Sequence, residues 1–271
     1  MRNLELTLKL GWFTTRGASS SKIYETVQNA IHSGELDAEI SFVFSNRTAG
    51  IEKVTDDFFE KVKSDGISLI THSSIDFRKQ KDGRRSKNGE PLPSWRNAYD
   101  LEIEKLISKY DFDIGVLAGY MLILTKSFVE KFPLINLHPA LPDGPTGTWQ
   151  EVIQELIISD AKKTGLMIHQ AIAEVDLGPV LATCEFKLDS AAFYDAKQRV
   201  KENTNLDTSE LFKLIREETV KRESPFVTVL LQEITQGRIS IQDIVTQANT
   251  PSNKELPVDL TLQVEKWLAE N

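Results

Sequence analysis

"DIGVLAGYMLILTKSFVEKFPLINLHP", residues Asp113–Pro139, holds two apolar runs with a short charged piece between them. The first run, Asp113–Met121, is almost unbroken in apolar residues, as a strand buried on both faces of a parallel sheet should be. The second, Leu134–His138, ends in polar groups. Thr125–Lys131 between them has room for one short helix. Strand, helix and strand in that order predict parallel pairing through a right-handed crossover.

Upstream the same alternation continues. Leu4–Phe13 reads as a strand, Thr14–Lys22 as a small polar loop and about Ile23–Ser33 as a helix. Ala38–Asn46 and Gly66–His72 read as strands, with a helix over Phe58–Asp65 between them. Ser73–Pro93 breaks the pattern. Its cluster of Arg78, Lys79, Lys81, Arg84, Arg85 and Lys87 predicts an exposed loop or hairpin insertion, read either as a solvated surface or as an anion-catching lid. Ser94–Tyr110 has helical spacing behind an N-cap serine. Downstream, Trp149–Ser159 reads as a helix. Gly165–Ile172 and Val180–Leu188 are joined by a link too short for a crossover helix, so they should pair antiparallel. Helices follow over about Thr208–Lys221 and Pro225–Gln236, the second stopping at Gly237. The class is α/β: a mostly parallel twisted sheet flanked by helices, with an antiparallel C-terminal strand pair and a helical C-terminal extension.

Of the 271 residues 40% are hydrophobic and 27% charged, which describes an ordinary soluble domain. A formal net charge of −8 disfavours nucleic-acid binding, which calls for a basic surface. Cys184 stands alone, so no disulfide can form within the chain and the cytoplasm is the expected compartment. "MRNLELTLKLGWF" lacks the apolar core of a signal peptide, and no run approaches the roughly 18 apolar residues of a membrane span. No metal is expected, since the chain has neither paired CxxC motifs nor HExxH.

Three places carry candidate chemistry. Asn136 and His138 are two apart on a strand and so share a face, at the carboxyl end where open α/β sheets bind ligands. Pro139, Pro142 and Pro145 then hold an extended loop. His169, on a later strand, and Asp176, in a turn bounded by Gly178 and Pro179, could form a carboxylate–imidazole pair. In the first loop Arg16, Gly17, Ser19, Ser20, Ser21 and Lys22 sit where a strand opens a helix. That is either an anion site built on helix N–H groups or a simple N-cap loop.

"NLHPALP" (Asn136–Pro142) followed by "VDLGP" (Val175–Pro179) resembles the folate-dependent formyltransferases. "VFSN" (Val43–Asn46), "RNAYD" (Arg96–Asp100) and "VLAGYMLIL" (Val116–Leu124) add to the likeness, which runs from about residue 5 to 240. The resemblance implies a Rossmann-like formyltransferase domain over residues 1–240, with about 1–110 holding a phosphorylated amine and about 111–240 holding folate and the catalytic groups. Residues 241–271 would be an extension. It implies 10-formyltetrahydrofolate as formyl donor, its pterin held by Met121, Leu122, Ile123, Leu124, Ala173, Glu174, Val175 and Gly178. Asn136, His138 and Asp176 would be catalytic, passing the formyl group to an amine through a tetrahedral oxyanion. Asn136 would donate to that oxygen, His138 would move the proton, and Asp176 would tune the histidine. Arg96, His169 and Glu218 would join the first loop at the acceptor, with glycinamide ribonucleotide as the leading choice. The partners are therefore small molecules, with no nucleic acid and no membrane, for a monomer or homodimer.

The chain departs from the family pattern in places. "RGASSSK" replaces the usual Gly-x-Gly-Ser-Asn, Leu177 replaces a glycine, Leu122 stands where arginine is common, and "DGPTGTW" lacks a supporting histidine. Three other readings compete: hydrolysis of the same formyl donor, formylation of an amino-sugar nucleotide, and a non-catalytic phosphate- or nucleotide-binding module.

Overall fold

The apolar runs become strands in a computed structural model that describes residues 7–17, 20–86, 90–200, 209–245 and 256–271. They are β1 Leu8–Thr14, β2 Ala38–Ser45, β3 Leu69–Thr71, β4 Ile114–Leu117, β5 Leu134–His138, β6 Lys163–Gln170, β7 Val180–Lys187 and β8 Val258–Asp259. The helices are α1 Ser20–Ser33, α2 Lys53–Ser64, α3 Ser74–Gln80, α4 Trp95–Ile107, α5 Lys126–Lys131, α6 Trp149–Ile158, α7 Ala191–Val200, α8 Glu210–Thr235, α9 Ile241–Val245 and α10 Thr261–Glu270.

One sheet contains all eight strands, in the order β3-β2-β1-β4-β5-β6-β7-β8. β1 pairs parallel with β2 and β4, β2 with β3, and β4 with β5. The direction then reverses, because β5–β6 and β6–β7 are antiparallel. The chain winds outward from β1 through β2 to β3, then returns to lay β4 on the other side of β1. That reversal opens a crevice beyond the carboxyl ends of β1 and β4, where doubly wound sheets bind ligands.

Two apolar clusters cover the two faces. One joins Trp12, Tyr24, Phe59, Ile135, Ile168, Leu181 and Phe226, which come from the strands and from α1, α2 and α8. The other is rich in rings, with Phe13, Phe42, Phe44, Tyr99, Tyr120 and Phe128 on the face covered by α3, α4 and α5. Phe13 lies at its centre, meeting Phe42 and Phe128 edge to face at 5.5 and 6.3 Å, a favoured geometry for aromatic pairs.

The structure corrects several expectations. The segment read as a loop or hairpin begins with α3, capped by Ser73, whose side chain accepts from the Asp76 amide. Charge obscured it: only Ser74 and Phe77 of this helix are buried. α7 was not foreseen. Ser94 makes no side-chain cap on α4. The two helices expected around Pro225 are one, α8, which runs through the proline. A proline inside a helix normally costs about 3 kcal/mol; here every residue from Arg222 to Leu231 is buried, and that packing offsets it. β4 is shorter than its apolar run, so Ala118–Thr125 is free to form a loop. In the expected extension, residues 256–271 complete the sheet: β8 pairs parallel with β7 and α10 packs beside it. No described helix is long and apolar enough to cross a membrane.

Candidate active site

The two-residue period of β5 presents Asn136 and His138 on one face. β6 runs back beside it with His169 directly opposite Asn136. The third element is the turn after β6. Asp176 takes φ +58° there, a left-handed conformation that aspartate tolerates better than most residues. Gly178 seats the turn, because a Cβ at that position would lie 1.8 Å from the Gln170 carbonyl oxygen. Pro179 then accepts from the Gln170 amide. Glycine is required here so that turn and strand can approach.

Four side chains meet as a result. Asn136 Nδ2 donates to His169 Nε2 at 3.2 Å and to Asp176 Oδ1 at 3.4 Å. His138 Nδ1 lies 3.5 Å from Asp176 Oδ2, and His169 Nε2 lies 3.5 Å from Asp176 Oδ1. Both rings are almost wholly buried, with side chains 4% and 3% exposed. Carbonyl oxygens fix their hydrogens. His138 Nε2 contacts the Pro145 carbonyl and His169 Nδ1 that of Gln170, at 3.2 and 2.9 Å. A carbonyl only accepts, so these nitrogens carry the hydrogens and Nε2 of His169 is the acceptor for Asn136. Burial alone pushes the Asp176 carboxyl up, but the protonated forms of the two facing rings, His169 through an Nε2–H hydrogen bond and both through their charge, outweigh it and hold it below the usual range. Where a supporting histidine was missing from "DGPTGTW", the Pro145 carbonyl stands against His138.

The segment expected at the pterin is fixed through its backbone. Met121 N–H donates to Thr15 Oγ1, and the Ile123 carbonyl accepts from Arg96 at 2.6 Å. Thr125 N–H donates to Asp100 Oδ2. A cleft of about 240 Å³ lies beyond, lined by Val129, Gln170, Ile172, Ala173, Glu174 and Pro179. Leu124 is buried and Leu122 and Ile123 are partly buried, whereas Met121, Val175 and Leu177 are exposed.

The acceptor expectations fare unevenly. Arg16 is exposed with Glu52 3.6 Å away. Gly17 has φ +74° and packs on the Phe58 ring, which a Cβ would meet at 2.6 Å. Ser20 is buried with its hydroxyl 2.7 Å from that of Thr14; Ser21 is partly buried, Lys22 is exposed and Ser19 lies outside the described residues. Two expectations are corrected. Arg96 is not a surface group: it is 1% exposed and braces Asp100 and the Ile123 carbonyl from within. Glu218 is tied to Arg222, which also pairs with Glu265 of α10 and lies over Phe186, so it belongs to the joint between helix and sheet. The basic insertion is partly engaged locally, Arg78 with the Gly83 carbonyl and Arg84 with Glu90 and the Pro91 carbonyl; Lys87 lies outside the described residues. Sequence reading missed Arg47, one position past "VFSN", which lies beside Asn46 and Ser74.

The sheet is doubly wound, and an amide, two imidazoles and a carboxylate converge past its crossover. Residues 17–206, more than half of the chain, match the formyl transferase family, and the chain belongs to that family. It is 31% identical over 174 residues to phosphoribosylglycinamide formyltransferase of Dictyostelium discoideum, covering 60% of this chain and 77% of that one. With the enzyme of that name from Schizosaccharomyces pombe it shares 28% over 182 residues, 62% of this chain and 80% of the other. Among solved structures, glycinamide ribonucleotide transformylase 1 from Symbiobacterium toebii superposes with a TM-score of 0.62 at 16% identity, over 87% of this chain and 91% of that one. A formyltetrahydrofolate deformylase from Pseudomonas syringae gives 0.60 at 18%, over 88% and 64%. At such identities these structures speak for the fold.

Proposed function

We propose that this chain transfers the formyl group of 10-formyltetrahydrofolate to the amine of glycinamide ribonucleotide. The meeting of Asn136 and His138 of β5 with Asp176 of a later turn carries the reading, and the two relatives of that name support the acceptor. The cleft beside Ala173 and Glu174 suits a heterocycle with a polar edge: Val129, Ile172, Ala173 and Pro179 face it together with Lys126, Glu130 and Glu174, and the Gln170 Oε1 is buried with no partner among the described residues. An unpaired buried acceptor costs about 1–3 kcal/mol, which a ring N–H would relieve.

The residues divide the chemistry as follows. The amine attacks the formyl carbon, a new C–N bond forms, and the carbonyl oxygen takes on negative charge. Asn136 supplies N–H to that oxygen; its 3.4 Å contact to Asp176 is the longer of its two and is the one replaced. A donor so placed contributes about 3–4 kcal/mol to the transition state. The bond to the folate nitrogen then breaks, the amine loses one proton and the folate nitrogen gains one. Nδ1 of His138 is the ring atom left to carry that proton, with Asp176 3.5 Å away to hold the resulting cation. His169 keeps the Asn136 amide turned toward the reacting oxygen.

Purified protein given 10-formyltetrahydrofolate should release tetrahydrofolate, followed by absorbance, only when glycinamide ribonucleotide is also present. Turnover without any amine would assign hydrolysis instead, and an amino-sugar nucleotide as the better acceptor would move the assignment there. Binding of both ligands without turnover would make the chain a binding module.

A further inference from the structure

Arg47, immediately after β2, is a partly buried guanidinium without an acid. Among the described residues no carboxylate comes within 4.0 Å of it. Its Nη1 donates to the Asn46 carbonyl and side-chain oxygens at 3.0 and 3.2 Å and to Ser74 Oγ at 3.3 Å, and no described group engages its Nε or Nη2. Burial, with the Arg16 cation adding to it, holds its pKa below the usual arginine value; Arg16 is brought to this strand end by Thr15, whose carbonyl accepts from Ser45 Oγ at 3.0 Å. Of the two cations, Arg16 is exposed and has Glu52 3.6 Å away, whereas the partly buried Arg47 has no carboxylate of its own among the described residues.

The surrounding orphan groups are also donors. Asn46 is fully buried; its Oδ1 accepts from Arg47 while its Nδ2 has no partner among the described residues. Tyr120 is 8% exposed, its hydroxyl has no partner among the described residues, and its ring lies 6.3 Å from that of Phe44, two residues before Asn46. Asn46, Arg47 and Tyr120 follow β2 and β4, beside the crevice where the winding reverses. Ser20, in the loop first read as the anion site, already pairs with Thr14.

We propose that Arg47, with Arg16, Asn46 and Tyr120, is the seat for the phosphate of the acceptor. Donors arriving from separate strand ends suit the several oxygens of a phosphomonoester dianion better than a planar carboxylate. This rests on the acceptor reading above and adds the residues that select a phosphorylated amine over its neutral counterpart.

Steady-state kinetics with glycinamide ribonucleotide and with its dephosphorylated riboside test the seat. Arg47→Met should raise KM for the ribonucleotide roughly 10- to 100-fold, with kcat within about threefold, and leave kcat/KM for the riboside unchanged. Arg47→Lys should recover part of the loss. Tyr120→Phe removes one hydroxyl and should give a smaller effect in the same direction, which keeps the test open should Arg47→Met fold poorly. In parallel, inorganic phosphate should raise the melting temperature of the unaltered protein and not that of Arg47→Met or Arg47→Lys to the same degree. An unchanged KM, or equal protection of all proteins by phosphate, overturns the seat. If the unaltered protein does not formylate the ribonucleotide at all, the functional reading falls, and the phosphate titration alone decides on Arg47.

Discussion

Asn136 and Asp176 are 40 residues apart in sequence, and the amide nitrogen of one lies 3.4 Å from the carboxylate of the other. The sheet supplies the first and a left-handed turn the second. Replacing Asp176 by Asn keeps the shape and removes the charge facing both imidazoles. We expect kcat to fall by about 10²–10⁴-fold with KM for the folate changed less than about threefold. Near-normal turnover would remove Asp176 from the chemistry.

The same carboxylate sets an acid limb of stability. Its native pKa lies below the ordinary value, so the native state favours the ionised form. That contribution is complete above about pH 4, the unfolded value, and is lost as acid passes through the lower native one. Between about pH 6 and about pH 3 the unaltered protein should lose more urea resistance than Asp176→Asn. Parallel curves would show that the carboxylate carries no such linkage.

Gly178 offers a test that touches no reacting group. A methyl there would stand 1.8 Å from the Gln170 carbonyl oxygen, so Gly178→Ala must push the turn away from β6 and draw Asp176 off His138. The expected result is a loss of about 1–3 kcal/mol in stability and more than about tenfold in kcat. Leu177→Ala, one residue earlier and at an exposed position, is the control and should stay within about 0.5 kcal/mol.

Arg96→Met strands Asp100 as a buried charge without its cation, for a loss of about 3–5 kcal/mol. Since the guanidinium also holds the Ile123 carbonyl, KM for the folate should rise with it. Adding Asp100→Leu should restore part of the stability and none of the folate binding, because Thr125 N–H then loses its acceptor too. Equal stability of single and double variants would show that the pair is not coupled.

Much of the sheet was legible because apolar strands and their short links constrain one another. Asn136 and His138 were readable together, since a two-residue period decides which side chains share a face. That His169 stands opposite Asn136 depends on the register of a neighbouring strand, which no local pattern reports. Arg96 misled for a different reason: resemblance alone places it at the acceptor, and only packing among Trp95, Tyr99 and the Ile123 carbonyl shows it to be internal. Arg47 was invisible because its meaning lies in what is missing around it. α3 was hidden by its charges, and α8 by a proline whose cost is met through burial. β8, two residues long, is too short to leave a signature of its own.

That last strand has a consequence for synthesis. It joins β7 across a separation of about 76 residues, as the contact between Glu185 and Thr261 shows. Until a ribosome has added those residues, β7 presents an unpaired row of amides and carbonyls to its surroundings. The nascent chain therefore passes through an interval in which its sheet is assembled on one side and open to foreign strands on the other.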